Sequence, residues 1–129
     1  MKLLPNFSED PREGIEGWPE VSLADLVGRL DEELREPLSH YLLECQSLVS
    51  TQSMADPLDP ARDHGVPTGM SSDGTWVWST YWGYFVREYG IAVPTEFIDH
   101  ARSRNFAPVT LDDAEQERID SALEATFSD

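Results

Sequence analysis

The apolar pattern predicts a mainly α protein: a compact bundle of about five helices forming a single domain over residues 1–129. A short β-hairpin is its only candidate sheet. Three observations predict this. Apolar residues recur at helical spacing in stretches that begin near residues 22, 38, 80, 95 and 111. Two boxes of the Ser/Thr-x-x-acid type, Ser22–Asp25 and Thr110–Asp113, precede two of those stretches as helix N-caps do. Gly90 follows a third stretch where a helix C-terminus would place a glycine. With 129 residues, including four Trp, four Tyr and five Phe, the chain can build one substantial core.

Residues 1–20 hold Pro5, Pro11, Gly14, Gly17 and Pro19 and keep neither a helical nor a strand period. They read as an irregular arm pinned to the domain by Phe7, Ile15 and Trp18. Ser22 then opens a first helix, with Val21 and Leu26 placed as a hydrophobic staple. Leu23, Leu26, Val27, Leu30 and Leu34 share its apolar face. Pro37 ends or kinks that helix at Glu36, because proline disfavours the helical conformation in the residue before it. A second helix carries Leu38, Tyr41, Leu42, Cys45, Leu48 and Val49 on one stripe, and the two suggest an antiparallel helical hairpin, with a single kinked helix as the alternative.

Residues 51–75, with Pro57, Pro60, Gly65, Pro67, Gly69 and Gly74, read as a loop long enough to be a contact surface. At its end, Val66–Met70 can pair with Thr75–Trp78 across Ser71-Ser72-Asp73-Gly74, where Asp-Gly is a turn signal. Ser79 caps a third helix from Thr80 to Tyr89, with Tyr81, Trp82, Phe85, Val86 and Tyr89 inward and Tyr84 off that face. Pro94-Thr95 opens a fourth through about Arg104. The last helix follows Thr110, with Leu111, Ala114, Ile119, Ala122 and Leu123 on its apolar side.

The charge narrows the function. Nine basic residues against 25 acidic ones give −16. Nucleic acid and anionic membranes repel such a surface, whereas a basic protein is attracted. Acids crowd the two ends of the chain, and the aromatic middle is nearly neutral. Met1-Lys2-Leu3-Leu4 is too short an apolar run for a signal peptide, and no run approaches a membrane span, so a cytoplasmic location is expected. Cys45 is the only cysteine, so no internal disulfide can form, and its place on an apolar stripe suits an inert buried thiol.

Catalytic signals are few. There is no phosphate-binding glycine loop, no Gly-x-Ser-x-Gly elbow and no His-Glu-x-x-His. His40, His64 and His100 are far apart, and such histidines are usually structural. Asp56, Asp59, Asp63 and Asp73 gather acids in the loop, but their spacing does not match a calcium loop. The run Trp76, Trp78, Tyr81, Trp82, Tyr84, Phe85, Tyr89 has one nearby base, Arg87, and fits core packing better than base stacking. No cofactor and no metal site is expected.

The clearest surface feature is on the last helix. At about 100° per residue, Asp113, Glu117, Asp120 and Glu124 fall in a narrow arc opposite the apolar face. Like charges at this spacing cost a few tenths of a kcal/mol each and become useful if a cationic surface docks. A solvated face is the plainer reading of such a run. Asp25, Glu32 and Glu36 form a related stripe on the first helix, interrupted by Arg29.

The segment Ser72-Asp73-Gly74-Thr75-Trp76-Val77-Trp78, then Tyr81–Tyr89 and Val93-Pro94-Thr95-Glu96-Phe97, resembles a pattern in small bacterial proteins that look like immunity proteins of polymorphic toxin systems. The resemblance covers about residues 70–100. It implies a protein that occludes a toxin domain without chemistry. The expectation is therefore a non-enzymatic acidic binding protein for a basic partner. Asp113, Glu117, Asp120, Glu124, Asp25, Glu32 and Glu36 would contact that partner, with Tyr84 as an aromatic anchor. The alternatives are a small enzyme with a pocket near the Trp-rich segment, using His64 or His100, and a DNA-mimic regulator.

Overall fold

A computed structural model describes residues 2–10, 18–62 and 65–127. Its element order is β1 (Lys2–Leu3), β2 (Asn6–Phe7), β3 (Glu20–Val21), α1 (Glu32–Glu44), β4 (Gln46–Met54), β5 (Val66–Ser72), β6 (Trp76–Ser79), α2 (Tyr81–Tyr89), α3 (Thr95–Ser103) and α4 (Asp113–Phe127). Ile15, Asp63 and His64 lie outside the described residues. The expected mainly α bundle is therefore corrected to an α/β fold built on a mixed sheet.

The sheet runs β1-β6-β5-β4, with β1 parallel to β6 and the other pairs antiparallel. The β2 and β3 strands form a separate parallel pair. Strand alternation sorts the side chains to two faces. Trp76 and Trp78 join Leu38, Tyr41, Leu42, Phe85 and Phe97 in the larger core, so α1, α2 and α3 lie on that face. Val77 points the other way, to Trp18, Leu111 and Ile119, so α4 and the arm cover the second face.

A hairpin forms where one was expected, but its turn is shorter, because Ser71 and Ser72, read as turn, belong to β5. Met70, Ser71 and Ser72 pair with Ser79, Trp78 and Val77. What the helical reading missed is β4. The stripe Leu38, Tyr41, Leu42, Cys45 is a true buried helix face, but the helix stops at Glu44 and Cys45 turns extended. Gln46–Met54 holds three serines, which are poor helix formers, and Val49 and Thr51, whose branched side chains favour strands. They pair with β5 from Gln46↔Ser72 to Met54↔Val66. The expected 51–75 loop thus shrinks to the turn between β4 and β5.

Two further corrections concern α1 and the segment before it. Residues 23–29 form turns rather than a helix, with Leu26 N–H bonded to Leu23 and Arg29 N–H to Leu26. Gly28 takes a left-handed φ of 71°, which a continuing helix forbids. The Ser22–Asp25 box is not used. Instead Glu9 reaches from the arm and accepts the N–H groups of Leu23 and Ala24, both at 2.8 Å, and the Ser22 hydroxyl. Pro37 lies inside α1. It removes one intrahelical donor and leaves the helix intact on both sides. Likewise, Asp112 rather than Thr110 caps α4, accepting the Glu115 N–H at 2.8 Å.

The Glu9 clasp makes stability depend on acid. Burial works against the Glu9 carboxylate, but hydrogen bonds from Ala24, Leu23 and Ser8 outweigh it and hold the group below its ordinary 4.5. A carboxyl whose folded value is depressed contributes stability above its unfolded value and loses it as pH falls through the folded one. The denaturation midpoint should drop on acidification through that window, and Glu9→Gln should flatten the slope there. An unchanged slope in the variant, read by urea melts across pH, would count against the clasp.

Candidate partner-binding surface

Helix α1 crosses α2 closely and stands beside the end of α3, so it forms one wall of an open groove of about 860 Å³. Glu32, Glu33, Glu36, His40 and Glu44 line it from α1, Arg87 from α2, and Asn105 and Phe106 from the turn after α3. Pro37, Leu43 and Phe106 give it apolar patches. Glu32 has a neighbouring base, Arg35, at 3.4 Å. Glu33, Glu36 and Glu44 have no ion pair or side-chain hydrogen bond among the described residues.

The α3–α4 turn is held by a recognisable device. Phe106 N–H bonds to the Ala101 carbonyl at 3.0 Å and Asn105 N–H to that of Arg102 at 2.9 Å, the pairing of a Schellman motif. Asn105 fills the left-handed position with φ 55°, which asparagine tolerates. Phe106 follows with φ 53°, an outlying conformation for a bulky residue, and it lines the groove.

Helix α4 carries the second acidic surface. Asp113, Glu117, Asp120 and Glu124 are all exposed, while Ile119 is buried against the sheet and Leu123 half-buried. None of the four carboxylates has an ion pair or hydrogen bond among the described residues. The one base on this helix, Arg118, donates to the Gly74 carbonyl at 3.0 Å. Glu32 and Glu36 are exposed on α1. Asp25 is exposed too, but on the turn before it, so the three do not form one helical stripe.

Tyr84 is placed differently. It is only 3% exposed. Its hydroxyl donates to Asp56 at 2.8 Å and accepts from Arg62 at 3.1 Å. The Tyr89 hydroxyl meets the same Asp56 oxygen at 2.6 Å. Asp56 also receives the Leu58 N–H at 2.8 Å, so it pins the β4–β5 turn over α2 and covers the ring. Burial raises the Tyr84 hydroxyl's pKa, opposed by Arg62 and reinforced by Asp56. Tyr84 therefore holds the fold together here and is not offered at the surface.

The other chemistry-bearing residues are tied up in packing. Asp73 accepts from Thr75 N–H at 2.9 Å, Trp76 N–H at 2.8 Å and the Tyr41 hydroxyl, with His100 Nε2 at 2.9 Å. Burial first, and then this carboxylate, push the Tyr41 hydroxyl's pKa up. Burial likewise pushes the Cys45 thiol up to about 11, against a lowering bond from Val109 N–H. Trp76 and Trp78 are buried, and Trp82, also buried, borders a small apolar cleft of about 270 Å³. Among the described residues, no three His, Cys, Asp or Glu side chains converge to hold a metal, and no helix is long and apolar enough to cross a membrane.

No protein-family model matches the chain, and neither a curated protein nor a solved structure matches it.

Proposed function

We propose that the protein is an acidic binding protein that holds a basic protein partner, and that this partner is a toxin domain which it occludes in the cytoplasm. The observation that carries this reading is the state of its carboxylates. On α4 and in the α1 groove, seven exposed or groove-lining acids, Asp113, Glu117, Asp120, Glu124, Glu33, Glu36 and Glu44, are unpaired among the described residues. With 25 acids and nine bases most carboxylates lack a basic neighbour, and what marks these seven is that they gather on two surfaces, the outer side of α4 and the α1 groove. Left unpaired, they repel one another and gain from a cationic surface. Binding requires no turnover, no cofactor and no contact with nucleic acid or membrane.

The test is co-purification with the product of the adjacent gene, followed by charge reversal. Changing Asp113, Glu117, Asp120 and Glu124 together to lysine, or Glu33, Glu36 and Glu44 together, should slow association and weaken affinity by at least about tenfold at low salt. The weakening should shrink as salt rises. Affinity unchanged in both variants would remove the acidic reading.

A further inference from the structure

Along the α1 wall of the groove, Glu33, Glu36, His40 and Glu44 recur about once per turn. Two places on this wall are short of positive partners among the described residues. Near its start, Pro37 has no N–H, so the Glu33 carbonyl loses its intrahelical donor in the turn that also carries the Glu33 and Glu36 carboxylates. At its end, Glu44 is the last residue of α1, at the negative pole of the helix, and that turn holds no base. The only Lys or Arg lining the groove is Arg87, which pairs with Glu88 at 3.4 Å and lies over the Tyr84 ring. The groove's own base therefore leaves both places uncompensated.

The two places are three turns apart on one straight wall, about 16 Å from Glu33 to Glu44 at 1.5 Å per residue. Pro37, Leu43 and, from the turn after α3, Phe106 supply apolar surface along the same span. A helix packed about 8–10 Å from α1 brings its own residues to the contact with the same period. With a lysine or arginine at each end of an apolar stripe, it sets cations against Glu33 and Glu44 and several side chains against Leu43 and Phe106. An extended chain covers that span in about five residues and turns alternate ones away, which leaves one apolar contact between its two cations. We propose that the groove takes a basic amphipathic helix of the partner, lying along α1. This rests on the acidic-binding reading and names what is bound in the groove: charge steers the helix in, and its apolar stripe holds it.

An alanine-rich helical peptide of about 15 residues serves as the probe, its lysines spaced as Glu33 and Glu44 are and leucines between them on the same face. Its control carries proline in place of the central alanine, which breaks the helix and keeps the charge. The full chain is titrated with each peptide and followed by NMR. The helical peptide should shift the Leu43 and Phe106 amides and bind at least about tenfold tighter than the proline control. Glu33→Gln with Glu44→Gln should weaken that binding about tenfold at low salt, and neutralising Asp113, Glu117, Asp120 and Glu124 should weaken it less. Equal binding of the two peptides overturns the helix and leaves the acidic reading standing. Binding that follows the α4 acids rather than Glu33 and Glu44 overturns the groove as its site, with that reading again intact. No binding of either peptide at low salt overturns the helix-in-groove mode, while the acidic reading is judged separately by the charge-reversal variants and the co-purified partner.

Discussion

Asp73→Ala should cost about 3 kcal/mol or more of folding stability, the largest loss expected from a single substitution in this chain. Asp73 is 1% exposed and its carboxylate gathers three elements. It holds its own β5–β6 turn through the Thr75 and Trp76 N–H groups, α1 through Tyr41, and α3 through His100. Its carbonyl also receives Arg104 Nη1 at 3.0 Å. Alanine strands two backbone donors and a tyrosine hydroxyl away from water, and each unsatisfied buried group costs about 1–3 kcal/mol. Asparagine keeps one acceptor oxygen for the turn and should lose less. Urea melts of both variants check this. A loss below about 1 kcal/mol for alanine would mean that water replaces the carboxylate, and the network would not be the keystone argued for.

The same residue shows how far the sequence could be read. Asp73-Gly74 marks a turn by itself, and the β5–β6 hairpin follows from it. Nothing local says that the Asp73 carboxylate turns inward, because its partners Tyr41 and His100 come from distant helices. α2 is legible except at its start, where Ser79 makes no cap and its hydroxyl donates to Asn6 instead. Its apolar spacing and the left-handed Gly90, φ 58°, are local signals. The strand β4 was hidden by a coincidence of periods. Leu48 and Val49 continue the α1 stripe on paper, yet their pairing with β5 decides the outcome, and that pairing is long-range.

The groove was hidden by Pro37. Glu33, Glu36, His40 and Glu44 follow one another at helical spacing and line one groove only if the helix runs through the proline. Ending the helix at Glu36 split that set between two elements, left Glu33 and Glu44 unremarked, and left His40 read only as one of three scattered histidines. The α4 acids suffered no such break, and all four are exposed as their spacing predicts. Tyr84 failed as a surface residue for the opposite reason. Its off-face position on α2 is real, but the β4–β5 turn folds over it, and the Asp56 that pins this turn lay in what read as loop.

Gly83→Val is the second substitution with a large expected effect, about 2–3 kcal/mol. Gly83 sits inside α2, where glycine normally weakens a helix by about 1 kcal/mol relative to alanine. Such a glycine needs a packing reason, and α1 supplies it. A Cβ at Gly83 would approach Leu43 Cδ2 to 2.7 Å and the Leu43 backbone nitrogen to 3.2 Å. Leu43 is half-buried and could rotate outward, but its nitrogen belongs to α1 and moves only with the helix. Alanine therefore sets a propensity gain against a clash and should come out mildly destabilising. Valine adds two methyl groups and the β-branched penalty, so the two helices must separate. Because Leu43 also lines the groove, the separation shifts α1 and its carboxylates as well. Thermal or urea melts measure the first effect, and affinity for the partner measures the second. A valine variant as stable as the parent would show that α1 and α2 do not meet as closely as Gly83 and Leu43 require.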